Sequence, residues 1–420
     1  MGTNSTASFG TRVVIGLVAG LGAGALIGAV HVPALDRIVP ALEPIGALWL
    51  NGLRMTIIPL IVSMLITGIA SAAETAATGR IAARAMLLFL TLLTAAAAFG
   101  ALFTSLALTW VPVDPAAAEA FRNGASHNAA AIPTLPGVRD WLVNVIPTNI
   151  FKSASDGDML PLVIFSLFFG FAASRIATEL RDPLLGFFRA VMETMLVIIG
   201  WILWVAPVGV FVLALGVGAR GGVNAAGALA HYLVLMCLLG LVVTVLCYPL
   251  VVALGRVSLA RFAKAIAPAQ AVAVSTQSSL ASLPAMLSGA QQVLGLPERV
   301  TSITLPLAVS LFRLTSPPIN ISIVIFVAHV YGVPLDPGRI AMGVVLAVVT
   351  NFSVVGLPSQ LTLFNTTVPI SLAMGVPLEL LPLLLAVEVI PDIFRTLGNV
   401  TADVAATAIV ARGERPPRSS

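Results

Sequence analysis

An all-α protein integral to a membrane is the fold class this sequence predicts, and three observations predict it. Of its 420 residues 58% are hydrophobic and only 10% are charged, whereas soluble domains carry about 25% charged residues. Mean hydropathy is +1.03. Apolar runs long enough to cross a bilayer, about 20 residues each, follow one another along the chain. In the last third such runs are interrupted at their centres by hydroxyls, glycine and proline. Together these patterns predict eight transmembrane helices plus two re-entrant helical hairpins.

The first six spans fall near 12–30, 45–70, 82–110, 141–174, 186–217 and 228–254. The interval 114–139, rich in Ala with Pro and Asn, reads as an exposed loop. Arg12 leads directly into the first apolar run, so no cleavable signal peptide is expected. Arg80 and Arg84, the group Arg175, Arg181 and Arg189, the group Arg256, Arg261 and Lys264, and the terminal Arg412, Arg415 and Arg418 gather at span ends. Basic residues concentrate on cytoplasmic loops, which puts both termini in the cytoplasm of a multi-pass cell-membrane protein. The net charge of +4 is therefore a matter of topology and implies no nucleic acid. Cys237 and Cys247 lie within one apolar run and read as free, buried thiols.

After residue 256 the pattern changes. Segment 258–291 is broken by "STQSSLASLP", 301–331 by "FRLTSPP" and 338–372 by "TNFSVVGLPS". Each half is roughly 12–15 residues, too short to span a core that needs about 20. Irregular backbone at membrane depth survives only where protein buries it or water lines it, and interrupted segments point to a transport site. The first and third segments read as hairpins, the middle one as a helix unwound at its centre.

The last span, 376–411, places Glu388, Asp392, Arg395, Thr396, Asn399 and Asp403 within an arc of roughly 100°, at about 100° per residue. An internal Asp392–Arg395 pair serving packing alone is a poor account of that face, because buried pairs stabilise weakly. Ionisable residues inside a membrane mark functional sites. The set suits a zwitterion with a second carboxylate: Arg395 as a bidentate fork, Asp392 for an ammonium group, Asn399 and Thr396 as polar contacts. Asp403, one turn deeper, is left for a cation or a proton.

These residues resemble the dicarboxylate/amino acid:cation symporter family, which includes the archaeal aspartate and mammalian glutamate transporters. "DIFRTLGNVTADVAATAIVA", 392–411, is similar to that family's final helix almost position by position. "TQSSLASLP", 276–284, and "GLPS", 356–359, look like the two hairpin tips. "TLPL", 304–307, resembles the start of the seventh helix and "LRMTIIPLIVSMLITGIAS", 53–71, the second span. The resemblance implies a homotrimer of elevator-type carriers in the lipid bilayer. A scaffold at about 12–70 and 141–217 would support a transport unit at about 82–110 and 228–411. It also implies that Asp392 holds a substrate amine, Arg395 its side-chain carboxylate and Asn399 its main-chain carboxylate. Thr396, Ser278 and Ser279 would complete the pocket, with Gly356, Leu357 and Pro358 in the gate. Apart from the resemblance, Arg313, Thr315 and Ser316 are candidate substrate contacts from their place in the interrupted segment. Cation or proton coupling would fall to Asp403, Asn399 and Glu388.

The seventh helix departs from the family. Where relatives read Asn-Met-Asp-Gly-Thr, this chain reads Phe312, Arg313, Leu314, Thr315 and Ser316. Phe312 and Leu314 cannot ligate a hard cation that needs oxygen donors. The third span, "MLLFLTLL" at 86–93, also lacks the expected hydroxyls, and Asn320 stands where potassium-coupled members have a glutamate. Arg313 lies roughly a dozen residues from either end of its segment, too deep to reach water along its own stem. It reads either as a tethered replacement for a lost cation, paired with Asp403 or Asp392, or as a second arginine for an anionic substrate. No cofactor or firm metal site is expected, and the coupling ion is a proton or residual sodium.

The function expected is secondary active transport of acidic amino acids, aspartate or glutamate, with sodium coupling lost or reduced and protons as the driving ion. A C4-dicarboxylate symporter for succinate, malate or fumarate is the alternative. An intramembrane enzyme fits poorly, because His31, His127, His231 and His329 are scattered and no base is placed beside Ser278 or Ser279. A passive channel fits poorly as well, since a single pocket with both signs of charge suits a carrier.

Overall fold

Backbone N–H and C=O groups in hydrocarbon have no water to bond, so a chain this apolar must satisfy them internally. The computed structural model, which describes residues 3–30, 38–77, 79–125, 146–156, 159–353 and 359–412, is helical with no strand among those residues. The helices are α1 (Thr3–Val30), α2 (Ile38–Ala77), α3 (Arg80–Trp110), α4 (Pro115–Ala125), α5 (Ile150–Asp156), α6 (Met159–Ala173), α7 (Thr178–Trp204) and α8 (Ala206–Leu250). After a π turn at Val251–Gly255 come α9 (Leu259–Thr276) and α10 (Ser279–Ser288), then a second π turn at Gly289–Val293. The chain ends with α11 (Glu298–Leu311), α12 (Ser316–Tyr331), α13 (Pro337–Ser353), α14 (Ser359–Ala373), α15 (Leu381–Val387) and α16 (Val389–Arg412). Among the described residues five stretches are long and apolar enough to cross a membrane: Arg12–Val30, Arg80–Trp110, Thr178–Trp204, Ala226–Gly255 and Glu298–Tyr331.

The interrupted segments take the expected form where they are described. In 258–291 the chain turns at Gln277, whose φ of 52° is left-handed, and Ser278 caps α10 by accepting a hydrogen bond from Ala281 N at 3.2 Å. Helices α9 and α10 then pack against each other as a hairpin. In 301–331 the helix stops at Leu311 and restarts at Ser316. Pro317 and Pro318 fall in the first turn of α12, where their missing N–H groups leave nothing unpaired. The third segment forms the packed pair α13 and α14, and its break at 354–358, with Gly356, Leu357 and Pro358, lies outside the described residues.

Three expectations are corrected. The interval 114–139 is not wholly a loop, since 115–125 forms α4. Asp114 Oδ1 accepts from Ala116 N at 2.8 Å and Ala117 N at 3.0 Å, capping the helix. Ala117, Ala118 and Phe121 are buried on its inner side, and α4 packs on α8 and α12. The runs 186–217 and 228–254 are not separated near 217–228. The break falls at Val205, before Pro207, and α8 continues for 45 residues. The last span is also divided: Pro391 lacks the N–H that would bond Val387, so α15 ends at Val387 and α16 begins at Val389, with Glu388 at the joint.

α1 lies along α8 with Gly16, Gly20, Gly24 and Gly28 at every fourth position. A Cβ on Gly24 would overlap the carbonyl oxygen of Leu215, so the small residues are what allow this close approach. α12 and α16 form the interior: in α12 every residue except His329 and Tyr331 is buried. Helix α7 is the opposite case. Only Ile199 of its residues is buried, while Leu180, Phe187, Trp201 and Trp204 face outward.

Candidate functional site

The site forms where the unwound segment 312–315 meets the polar face of α16. A broken helix leaves backbone groups without partners, and here side chains from other elements supply them. Asn351 Nδ2 of α13 donates to Leu311 O at 3.0 Å. Thr315 N donates to Asn399 Oδ1 at 3.0 Å, and the Thr315 hydroxyl lies 2.6 Å from the same oxygen and 2.7 Å from Arg395 O. Phe312 N and Ser316 N bond Ala308 O and Arg313 O at 2.7 and 3.0 Å. Gly398 permits this latch, because a Cβ there would run into Thr315 Cγ2 and the Thr244 hydroxyl.

Asp392, Arg395, Thr396, Asn399 and Asp403 are all buried on α16, and Glu388 is buried at its start. Because Thr315 holds the Asn399 carbonyl oxygen, the Asn399 NH₂ is the end left to donate. Arg395 Nη2 forms an ion pair with Glu388 Oε1 at 2.6 Å, and Tyr232 Oη donates to Glu388 Oε2 at 3.2 Å. Arg395 Nη1 donates to Asn320 Oδ1 at 3.4 Å, and Asn320 Nδ2 donates to Thr366 Oγ1 at 2.8 Å. Arg395 Nε is buried and has no hydrogen-bond partner among the described residues.

Arg313 is partly buried in the unwound segment. Asp392, Arg395 and Asp403 act on it electrostatically. Asp403 has neither carboxylate oxygen in a hydrogen bond among the described residues. Leu314 is buried, and Phe312 stacks on Phe89 of α3 with ring centroids 4.5 Å apart and planes at 17°. Both rings are fully buried. This part of the unwound segment is thus packed by a face-to-face aromatic pair that offers no oxygen donor.

The sequence-derived residues fall into three groups. Asp392, Arg395, Thr396, Asn399, Asp403 and Glu388 share one buried face, and Thr315 and Arg313 are brought against it. Ser316 is buried, and its hydroxyl has no partner among the described residues. Ser278 and Ser279 sit partly buried at a hairpin tip that reaches the start of α16, where Gln277 Nε2 donates to Val389 O at 3.3 Å. Tyr232, Gln277 and Thr366 escaped sequence reasoning because each arrives from a distant element. Asn320 was legible only as a missing acid, whereas its amide contacts Arg395. Arg395 also pairs with Glu388, seven residues earlier in the chain, a contact that i, i+3 spacing does not point to.

A helical, multi-pass membrane protein with a half-dozen polar and charged groups gathered around an unwound helix is built as a carrier. Comparison with known proteins gives the class a family: the chain matches the sodium:dicarboxylate symporter family over residues 9–413 and belongs to it. It is a transporter and not an enzyme. It is similar to the proton/glutamate-aspartate symporter of Escherichia coli, at 28% identity covering 90% of this chain and 86% of that protein. It is also similar to the C4-dicarboxylate transport protein of Rhizobium johnstonii, at 27% identity covering 97% and 90%. The human neutral amino acid transporter B(0) is 30% identical, covering 93% of this chain and 76% of its own length.

Proposed function

We propose that this protein carries acidic amino acids, aspartate or glutamate, across the cell membrane without sodium and with protons as the driving ion. The observation that carries the reading is the buried face of α16, which offers Asp392 to an amine, Arg395 to a carboxylate and Asn399 with Thr396 to a second carboxylate. The stacked Phe89–Phe312 pair and buried Leu314 support the loss of sodium, since they present no oxygen donor to a hard cation. Arg313, in the field of Asp392 and Asp403, supplies positive charge in its place. The name of the Escherichia coli relative is in keeping with protons and acidic amino acids.

A C4-dicarboxylate is the second reading, favoured by one observation: Arg313 acts on Asp392, and a neutralised Asp392 no longer calls for an amine. The Rhizobium relative bears that name. We further propose that the protein works as a homotrimer by an elevator mechanism, with both termini cytoplasmic. The mutual packing of α3, α11, α12 and α16 supports a transport unit that moves as one body.

Uptake of radiolabelled L-aspartate into proteoliposomes under separately imposed sodium and proton gradients tests the coupling, and competition by succinate tests the substrate. Accumulation driven by a pH gradient alone is the expected result. Strict dependence on sodium would sink the coupling reading, and transport of succinate with no effect of L-aspartate would favour the second.

A further inference from the structure

The substrate arginine of this pocket already holds a carboxylate of the protein's own. Arg395 Nη2 and Glu388 Oε1 are 2.6 Å apart, and both side chains are buried. A carboxylate binds a guanidinium most firmly through two parallel N–H donors. On the side edge of Arg395 those donors are Nε and Nη2. Nε is buried with no hydrogen-bond partner among the described residues, and Nη2 is the donor that Glu388 occupies. A bidentate ligand on that edge would complete Nε and evict Glu388 from Nη2.

We propose that Glu388 is an internal competitor for the substrate carboxylate on Arg395, and that each substrate bound obliges Glu388 to take up one proton. This deepens the reading given above and rests on it. Once displaced, Glu388 keeps Tyr232 as its hydrogen-bond donor. A buried carboxylate stripped of its cation is strongly unfavourable, and the group neutralises instead. No bond to carbon is made or broken: a proton from water joins a Glu388 oxygen as the substrate carboxylate takes the guanidinium.

The groups facing Glu388 favour a single-proton exchange. From its own stretch of chain come Arg395 and Asp392, and from α8 come Tyr232 and Cys237. Through Arg395, α12 adds the uncharged Asn320. Of the other helices that pack on α15, α14 carries no titratable side chain and α1 carries only Arg12. The described pocket holds the acids Glu388, Asp392 and Asp403 and the bases Arg313 and Arg395. One monoanionic substrate plus one proton leaves its net charge unchanged, so loaded and empty carriers would cross the membrane with equal electrostatic penalty.

Calorimetric titration of the purified full-length protein with L-aspartate, in buffers of different ionisation enthalpy, counts protons taken up on binding. Wild type should take up close to one, and its affinity should fall toward about tenfold per pH unit on the alkaline side, as reciprocal linkage requires. Glu388→Gln, checked for folding by gel filtration, should bind with no proton uptake and a flat pH profile. In liposomes it should lose accumulation driven by a pH gradient while still exchanging substrate. Glu388→Asp should restore the pH slope, and Tyr232→Phe should move its midpoint while leaving the proton count intact. Sodium-free binding by wild type without proton uptake would overturn this inference and leave the substrate reading standing. Undiminished proton uptake by Glu388→Gln would do the same, whereas failure of wild type to bind L-aspartate defeats both.

Discussion

Arg313 stands in an unwound segment where Asp392 and Asp403 act on it, and its removal would leave two buried acids short of a cation. We expect Arg313→Met to lower sodium-free uptake at least tenfold. Arg313→Lys should recover part of it, because the charge returns without the planar fork. Unchanged uptake by the methionine variant would show that Arg313 balances neither acid. Thr315→Val keeps the shape of the latch but removes the hydroxyl near Asn399 Oδ1 and Arg395 O. Leaving buried acceptors short of a donor costs about 1–3 kcal/mol, so the variant should unfold at lower temperature in detergent and bind substrate more weakly. A melting curve overlaying wild type would rule the latch out. At this scale sequence spacing revealed which residue types share the α16 face, because helical periodicity is local. It could not reveal that Glu388 reaches Arg395 seven residues on and meets Tyr232 from α8. That arrangement depends on the joint before Pro391 and on a helix 156 residues away in the chain.

The breaks that define the site were legible among the helices, since clustered hydroxyls with glycine or paired prolines at the centre of an apolar run disfavour uninterrupted helix there. The loop at 114–139 was misread because Ala-rich stretches with scattered polar residues look alike whether helical or not. Only the burial of Phe121 against α8 and α12 decides the matter. Phe121→Ala should therefore destabilise the protein by about 3–5 kcal/mol, as for other buried aromatics, a change that chemical denaturation can follow. A value below 1 kcal/mol would mean that α4 contributes little to the core. Helix α8 hid its continuity for a similar reason, because a glycine-rich stretch near 216–227 reads as a turn in isolation. Along α1, Gly24→Leu should push the helix away from Leu215 and lower thermal stability while leaving substrate affinity near wild type. A large loss of affinity would instead tie the α1–α8 contact to the pocket.

For the whole molecule, a ligand that binds only the folded state raises stability by mass action. A carrier whose unwound segment is packed by the Phe89–Phe312 stack, with no oxygen donor there, should melt at the same temperature in sodium chloride and in choline chloride of equal strength, while L-aspartate raises the midpoint. A sodium-specific rise would reveal a cation site elsewhere. If three protomers assemble, light scattering of the purified protein should give three times the 43.3 kDa chain mass once detergent is subtracted. The mass of a single chain would exclude the trimer under those conditions.

The latch around residues 311–316 bears on how the protein moves. An interruption in a helix invites the idea of a hinge, yet this one is pinned from α13 by Asn351 and from α16 by Asn399. Its amide protons should exchange with deuterated solvent as slowly as those of α12 itself, on the timescale of global opening rather than of local fraying. Whatever bends during the transport cycle, the irregular stretch at the centre of the pocket should keep its shape, like a clasp that stays shut while the parts around it turn.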